Sequence, residues 1–326
     1  MKARRILVTG GTGFLGSALV KRMLKDGHHV RVFDDNSRGR PRRIEDIRGD
    51  IEIVEGDVRD YASVERATSG VDAVAHLAFV NGTEFFYTKP KLVLEVGVKG
   101  ALNTLDAAIK LGVKEYFLMS SSEVYQSPAV VPTDESAPFS VPDPLNPRYS
   151  YGGGKMISEL LAINYARESF ERMVIVRPHN VYGPDMGWEH VIPQFALRAH
   201  EAVQSHATGR VPFPIRGDGT QTRAFVHIDD FTEGAYLAFS KGETQNIYHV
   251  GTEDEITVRG LVEEVMRTFG READVQPSEA PAGETSRRCP NIAKVRKLGY
   301  APRVSLRDGL KATVDWYVGN RELRQA

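Results

Sequence analysis

The stretch Ile6-Leu7-Val8-Thr9-Gly10-Gly11-Thr12-Gly13-Phe14-Leu15-Gly16 constrains this chain more than any other. A β-branched apolar run feeds directly into glycines and then into residues of helical period, Gly13–Lys25, so a strand must turn tightly into a helix. Small residues allow that turn and let the backbone approach a pyrophosphate, whose charge the first N–H groups of the helix meet. Gly10, Gly13, Phe14, Leu15 and Gly16 are then the residues expected at a dinucleotide. A bare glycine triplet would equally be a plain turn; the strand before it and the helix after it are what the fingerprint requires.

Asp34 sharpens this reading. It lies 18 residues beyond Gly16, at the end of the second apolar run, where a carboxylate accepts from both hydroxyls of an adenosine ribose and repels a 2′-phosphate. NAD is therefore expected rather than NADP. The basic run Arg38-Gly39-Arg40-Pro41-Arg42-Arg43 is the opposing signal, either a phosphate site or a solvated loop. Gly56-Asp57-Val58 follows the third run and sets Asp57 near an adenine amino group, or leaves it as a turn aspartate.

Short apolar runs alternate with helical stretches through the first half of the chain, the pattern of a parallel sheet with crossover helices. Strands are expected at Arg5–Thr9, Val30–Asp34, Ile51–Glu55, Ala73–Leu77, Tyr116–Ser120 and Met173–Arg177, and helices at Val64–Thr68, Leu92–Leu111 and Tyr151–Glu168. Six prolines in Ser127–Pro147 make that segment a surface loop. Beyond Arg177 the alternation loosens into a helical stretch from Val191, a Pro212–Pro214 loop, and strand-like Ala224–Val226 and Asn246–Val250. The expected fold is α/β, a doubly wound Rossmann-like parallel sheet with a smaller, interleaved C-terminal substrate domain. Residues 1–177 and 225–250 form the dinucleotide-binding part; 178–224 and 251–326 form the other.

Composition excludes several classes. With 42 Lys plus Arg against 43 Asp plus Glu the net charge is −1, so no overall field draws nucleic acid or an anionic membrane. The single cysteine, Cys289, precludes an internal disulfide and any multi-thiolate metal site, and no metal centre is expected. No apolar run approaches the ~20 residues a spanning helix needs. A cytoplasmic protein is the expectation.

Tyr151 and Lys155 are spaced i, i+4 and share one face of a helix. An ammonium beside a phenol stabilises the phenolate; lowering a tyrosine from about 10 to about 7 takes roughly 4 kcal/mol. Alone, the pair would be an ordinary surface pair. Here it follows Ser120-Ser121-Ser122 at the carboxyl edge of the fifth strand, where open α/β sheets bind ligands.

With these residues in hand, the chain resembles the extended short-chain dehydrogenase/reductase family, specifically its nucleotide-sugar epimerases, dehydratases and decarboxylases. The likeness runs through TGGTGFLG, Asp34, Gly56–Val58, His76–Ala78, Ser120–Tyr125, Tyr151–Lys155, Arg177–Pro184 and Gly217–Asp230. It implies a nucleotide-diphosphate sugar as substrate, with Leu77, Ala78 and Val58 beside the cofactor. Ser121, Tyr151 and Lys155 become the catalytic set, with Ser120 and Ser122 as neighbours. Ser122 joins Ser121 toward the substrate, and Asn180 and Arg223 face its diphosphate. An ion pair of Arg223 with Asp229 or Asp230 is the structural alternative, and His227 reads as a packed histidine.

In that chemistry Tyr151 takes the proton of a ring hydroxyl while hydride passes to nicotinamide, and Ser121 holds the forming ketone. Glu123 resembles the glutamate of the dehydratases and decarboxylases. Ser122 stands where dehydratases carry aspartate, and Arg288, two residues before Pro290, falls where decarboxylases carry a catalytic arginine. Epimerisation is the leading expectation, with decarboxylation or dehydration through Glu123 as the alternative and a non-catalytic dinucleotide sensor as the reading of another class.

The resemblance also implies a homodimer, built on Leu92–Leu111 and Tyr151–Glu168, whose apolar Leu102, Leu105, Ile109, Ile157, Leu160 and Leu161 exceed one sheet contact. Two features depart from the family pattern. Gly97 stands where an asparagine usually supports a proton relay to the lysine. Gly152-Gly153-Gly154 fill the interior of the Tyr-x-x-x-Lys turn, at ~1 kcal/mol each in a helix, so this helix is expected to begin loosely.

Overall fold

The apolar runs become a parallel sheet because each is too short and too β-branched for a helix and each is followed by a covering helix. In the computed structural model, which describes residues 3–279 and 286–325, β1 (Arg5–Thr9), β2 (His29–Asp34), β3 (Ile51–Glu55), β4 (Ala73–His76), β5 (Glu115–Met119) and β6 (Arg172–Pro178) lie in the order β6-β5-β4-β1-β2-β3. The crossover elements are α1 (Phe14–Lys25), α2 (Tyr61–Thr68), α3 (Thr83–Thr88), α4 (Pro90–Leu94), α5 (Gly100–Lys110) and α6 (Ser150–Ser169). Side chains alternate between the two covered faces. Ile6 and Val8 pack with Leu19 and Met23 of α1, whereas Leu7 packs with Leu105 of α5 and Ala162 of α6.

The expected helix Leu92–Leu111 is a continuous helical run from Pro90 to Lys110, widened at Glu95–Lys99 into a π-helical turn centred on Gly97. Nor does α6 begin loosely, for it is regular from Ser150. Its glycines answer to packing. A Cβ at Gly152 would sit 2.8 Å from the Glu123 carbonyl oxygen, and one at Gly154 would sit 3.0 Å from Phe79 Cζ. The first turn of α6 therefore approaches the Ser120–Tyr125 segment more closely than any larger residue permits.

Past β6 come β7 (Val181–Tyr182), α7 (Val191–Ser205), β8 (Val211–Arg216), β9 (Thr222–Ala224), β10 (Val226–His227), α8 (Ile228–Lys241) and β11 (Asn246–Val250). β11 returns to the main sheet beside β6, in parallel register from Asn246–Val174 to Val250–Pro178, and makes it seven-stranded. Then follow β12 (Glu255–Thr257), α9 (Val258–Thr268), β13 (Ala273–Ser278), β14 (Arg287–Arg288), α10 (Ala293–Arg296) and α11 (Leu306–Gly319).

The expected Pro212–Pro214 loop is instead strand β8, paired in parallel with β13. Val211, Phe213 and Ile215 point into a second core with Leu261, Val265 and Tyr317, while Pro212 and Pro214 point away from it. Proline is tolerated at strand edges, where its missing N–H breaks no ladder. Ser127–Pro147 is a loop as expected. Thr133 ties it to Cys289 and Asn291 through backbone bonds of 2.9 and 2.7 Å, which brings β14 against Glu123.

Beneath the carboxyl edge of the sheet lies a buried polar cluster. The Tyr125 hydroxyl accepts from Arg177 and lies 2.6 Å from His249 Nε2, and the His249 and His179 rings meet at 4.6 Å. With Arg177 donating, the phenol proton is aimed at His249 Nε2, which must then be the unprotonated nitrogen. Burial, with Arg177 next, lowers His249 to about 3; burial, with Lys155 next, lowers His76 to about 3.

Both histidines are thus held neutral in the fold but take up protons once unfolded, near pH 6.5. Their contribution to stability is whole above that pH and is lost as pH falls toward 3. The melting temperature is expected to drop steadily between pH 7 and pH 4 in calorimetry. His249→Gln, which keeps a hydrogen-bonding partner for Tyr125 but cannot titrate, should flatten that slope.

Candidate active site

Reversal of strand order between β1 and β4 sends their following loops to opposite faces and opens a crevice at the carboxyl edge. There Gly10 adopts φ +73°, and a Cβ on it would lie 2.8 Å from the Ala78 nitrogen. Gly16 is needed because a Cβ would fall 2.0 Å from the Gly10 carbonyl oxygen. No side chain caps α1 at Gly13, so its first N–H groups face the crevice. Leu77 and Ala78 are held by Thr9, whose hydroxyl accepts from both their N–H groups at 3.2 Å and lies 2.8 Å from His76 Nδ1.

The resulting cleft has a volume of about 400 Å³. Along its cofactor half run Gly10, Gly13, Phe14, Leu15, Gly16 and Asp34, with Val58, Leu77 and Ala78 across from them. The Asp34 carboxylate is oriented by the N–H groups of Thr12 at 3.0 Å and Asn36 at 2.9 Å. Asp57 does not line the cleft; its carboxylate is held by the backbone and guanidinium of Arg59.

The basic run is clamped to the segment between β7 and α7. Arg42 and Arg43 bind Asp185, and Arg38 binds Glu189, donates to the Asn81 carbonyl at 2.9 Å and covers the Phe85 ring at 4.4 Å. Arg38, Arg42 and Arg43 are thus engaged by carboxylates, with Arg38 and Arg43 also lining the cleft. Backbone close approach at the glycines, an uncapped helix end and an oriented Asp34 fit NAD.

At the other end of the cleft are Ser121, Ser122, Glu123, Tyr151 and Lys155, with Asn180 and Arg288. β5 delivers the serines, and the first two turns of α6 deliver Tyr151 and Lys155. The Tyr151 phenol hydrogen-bonds Ser121; burial pushes it well up from its ordinary value, and that bond opposes the push. Lys155 Nζ donates to the Met119 carbonyl at 2.6 Å; burial brings it down to about 7 against the pull of Glu159. Ser120 and Ser122 are buried, and Ser120 donates to Glu159, below the cleft.

Glu123 forms an ion pair with Arg288. Burial works against its charge, but Arg288, with Arg148 and Arg223 around it, holds the carboxyl below the usual carboxylate range. Arg288 and Arg223 are register partners on β14 and β9. Arg223 does not bind Asp229 or Asp230. It donates to the Thr222 carbonyl at 2.7 Å, Asp229 meets His227, and Asp230 accepts from the N–H groups of Arg303 and Val304. Asn180, at φ +41°, donates to the Ala224 carbonyl at 3.2 Å.

Several residues here escape sequence reasoning. Glu159, fully buried, accepts from Arg177 at 2.9 and 2.6 Å and ties α6 to β6. Its place four residues after Lys155 was the available signal. Phe79 and Phe86 enclose Tyr151, Phe86 stacked at 4.9 Å and Phe79 edge-on at 5.0 Å. Gly97 was the only hint of Phe79.

The NAD dependent epimerase/dehydratase family matches residues 6–251. The chain belongs to this family. It is 30% identical to a UDP-N-acetyl-alpha-D-glucosaminuronate decarboxylase of Bacillus cytotoxicus over 96% of this chain and 98% of the relative. It is 31% identical to UDP-glucuronic acid decarboxylase 1 of Arabidopsis thaliana, over 96% of this chain and 69% of that one. Among solved structures, a dTDP-glucose 4,6-dehydratase from Streptomyces venezuelae with NAD bound superposes with a TM-score of 0.85 at 32% identity, covering 98% of this chain and 99% of that one. The UDP-glucose 4-epimerase of Thermotoga maritima gives 0.84 at 28%, covering 97% and 99%. The cofactor is NAD. Among the described residues no helix is long and apolar enough to cross a membrane.

Asp34 provides the test of the cofactor half. NAD should bind more tightly than NADP, and Asp34→Ala should weaken NAD binding by about 10–100-fold, the worth of one or two hydrogen bonds to a charged acceptor. Isothermal titration with both cofactors measures each value.

Proposed function

We propose that this enzyme decarboxylates a nucleotide-diphosphate uronic sugar by way of a ketone formed and reduced at the same ring carbon. The observation that carries the reading is the Glu123–Arg288 ion pair at the open side of Ser121 and Tyr151. A guanidinium largely buried beside the reacting carbon is suited to a sugar carboxylate; a 4-epimerase, whose keto sugar only turns over, presents no anion there. Glu123, kept ionised, has no proton to give in an elimination of water, and Ser122 supplies none of the acidity of an aspartate. The relatives named as decarboxylases support the same choice over epimerisation, the leading expectation from sequence.

NAD, when bound, accepts a hydride from the sugar and later returns it. Tyr151, as phenolate, removes the hydroxyl proton, Lys155 stabilises that phenolate, and Ser121 donates to the carbonyl oxygen that forms. Arg288 orients the carboxylate so that its carbon–carbon bond stands across the carbonyl plane. When that bond breaks, carbon dioxide leaves and its electron pair enters the enolate, whose oxygen Ser121 and the Tyr151 phenol hold. A proton taken up from solvent water on the Glu123 side then reaches the former carboxyl-bearing carbon, and Tyr151 returns its proton as the ketone is reduced. Asn180 and Arg223 serve the diphosphate.

Mass spectrometry and proton NMR of purified enzyme with a panel of nucleotide sugars test the reading. Loss of carbon dioxide from a uronic sugar supports it; an unchanged mass with an inverted centre would replace it with epimerisation, and loss of water with dehydration. Tyr151→Phe should cut turnover by ~10²–10⁴ while NAD binding holds. Arg288→Ala should allow the ketone to form, seen as nicotinamide absorbance, yet lose decarboxylation.

A homodimer through α4–α5 and α6 is proposed on the same reading. Leu105 is wholly buried within the subunit, but Leu94, Ile157 and Leu160 stand exposed on this side, Leu160 at 51%. Light scattering at micromolar concentration should give twice the 36.2 kDa chain mass, and Leu160→Glu should give monomers.

A further inference from the structure

Phe79 packs against both Tyr151 and Lys155, and two elements are shaped to admit it. Its ring lies 4.0 Å from Lys155 Nζ, measured to the centroid, and meets Tyr151 edge-on at 5.0 Å. A Cβ on Gly97 would fall 2.2 Å from Phe79 Cζ and 2.5 Å from Cε2, so the ring fits only over a glycine at that position. Gly154 bounds it from α6, where a Cβ would fall 3.0 Å from Cζ. The helix between residues 95 and 99 widens into a π turn at this point, and Ser158 spans the gap, bonding the Gly154 carbonyl at 2.8 Å and reaching the Gly97 carbonyl at 3.4 Å. π turns concentrate at functional sites.

Lys155 is 3% exposed, and its Nζ donates to the Met119 carbonyl. Burial disfavours its ammonium form. The negative face of an aromatic ring compensates, most strongly where water is excluded.

We propose that Phe79 is a positioning residue for catalysis, its ring face holding the Lys155 ammonium charged and aimed at Tyr151, and that Gly97 and Gly154 are glycines because that ring must lie between them. Phe79 acts through Lys155 on the phenol and exchanges no proton itself. The proposal rests on the assignment of Tyr151 as the acid–base residue of NAD-dependent sugar oxidation.

The test replaces Phe79 with pentafluorophenylalanine, which keeps the ring's shape and reverses its quadrupole, and with Leu. In the NAD-loaded protein, tyrosinate absorbance is followed against pH, and the same titration of Tyr151→Phe is subtracted to isolate one phenol among the 12 tyrosines. The Tyr151 midpoint is expected to rise by about one pH unit in the fluorinated protein, the effect of losing a cation–π contact at a dry site. Turnover at neutral pH should fall about tenfold, with KM for the sugar held and activity recovered at higher pH. Leu should give the same shift, and Gly97→Ala, which displaces the ring, should reproduce it.

An unmoved midpoint and pH profile in the fluorinated protein, with the fold intact by circular dichroism, would overturn the proposal and leave Phe79 as packing. If Leu or the Gly97 variant misfolds, the isosteric fluorinated ring still decides. Full activity in Tyr151→Phe would instead overturn the underlying assignment, so the two failures are separable.

Discussion

The buried ion pair between Glu159 and Arg177 is the contact on which the catalytic end depends. Both side chains are essentially inaccessible, at 0% and 2% exposure. Two charges removed from water cost more than their attraction returns unless every remaining donor and acceptor is matched. Here they are matched by Ser120, which donates to Glu159, and by Tyr125, which accepts from Arg177. The pair thereby fixes α6 against β6 and the end of β5, the three elements that meet where Ser121, Tyr151 and Lys155 converge. Removing one partner would leave a buried charge uncompensated, whereas the intact network sets the register of α6 to within a hydrogen bond.

From that anchor the rest of the cleft follows. β5 ends in the serines, and the next residues fold over the glycine-rich turn of α6 because Gly152 lets Glu123 come within backbone contact. The proline-rich loop then crosses to β14 through Thr133 and delivers Arg288 to Glu123. On the cofactor side, Asp185 and Glu189 engage three of the four arginines of the run after β2, while Asp34 stands at the ribose position.

Much of this was legible in the sequence. Parallel strands covered on both faces must be apolar throughout, and they were read to within a residue or two. The glycine turn and Asp34 carry their chemistry in local spacing, so they too could be read. β8 was misread because two prolines outweighed the alternation of Val211, Phe213 and Ile215, although both prolines point away from the core. The partners of Arg38, Arg42 and Arg43 lie over a hundred residues away, which local charge patterning cannot reach. Phe79 is hard to read for a different reason: its meaning lies in the absence of side chains at Gly97 and Gly154, and absence has no periodicity.

The two central groups are pushed by burial toward their neutral forms, Tyr151 upward and Lys155 down to about 7. A lone phenolate is disfavoured between Phe79 and Phe86, and burial disfavours the Lys155 ammonium, an effect the Phe79 ring face opposes. Formed together, each removes the penalty of the other, since their attraction in a dry site far exceeds its value in water. Aromatic burial by itself makes Tyr151 a poorer base, and only positive charge brought beside the phenol works in the other direction.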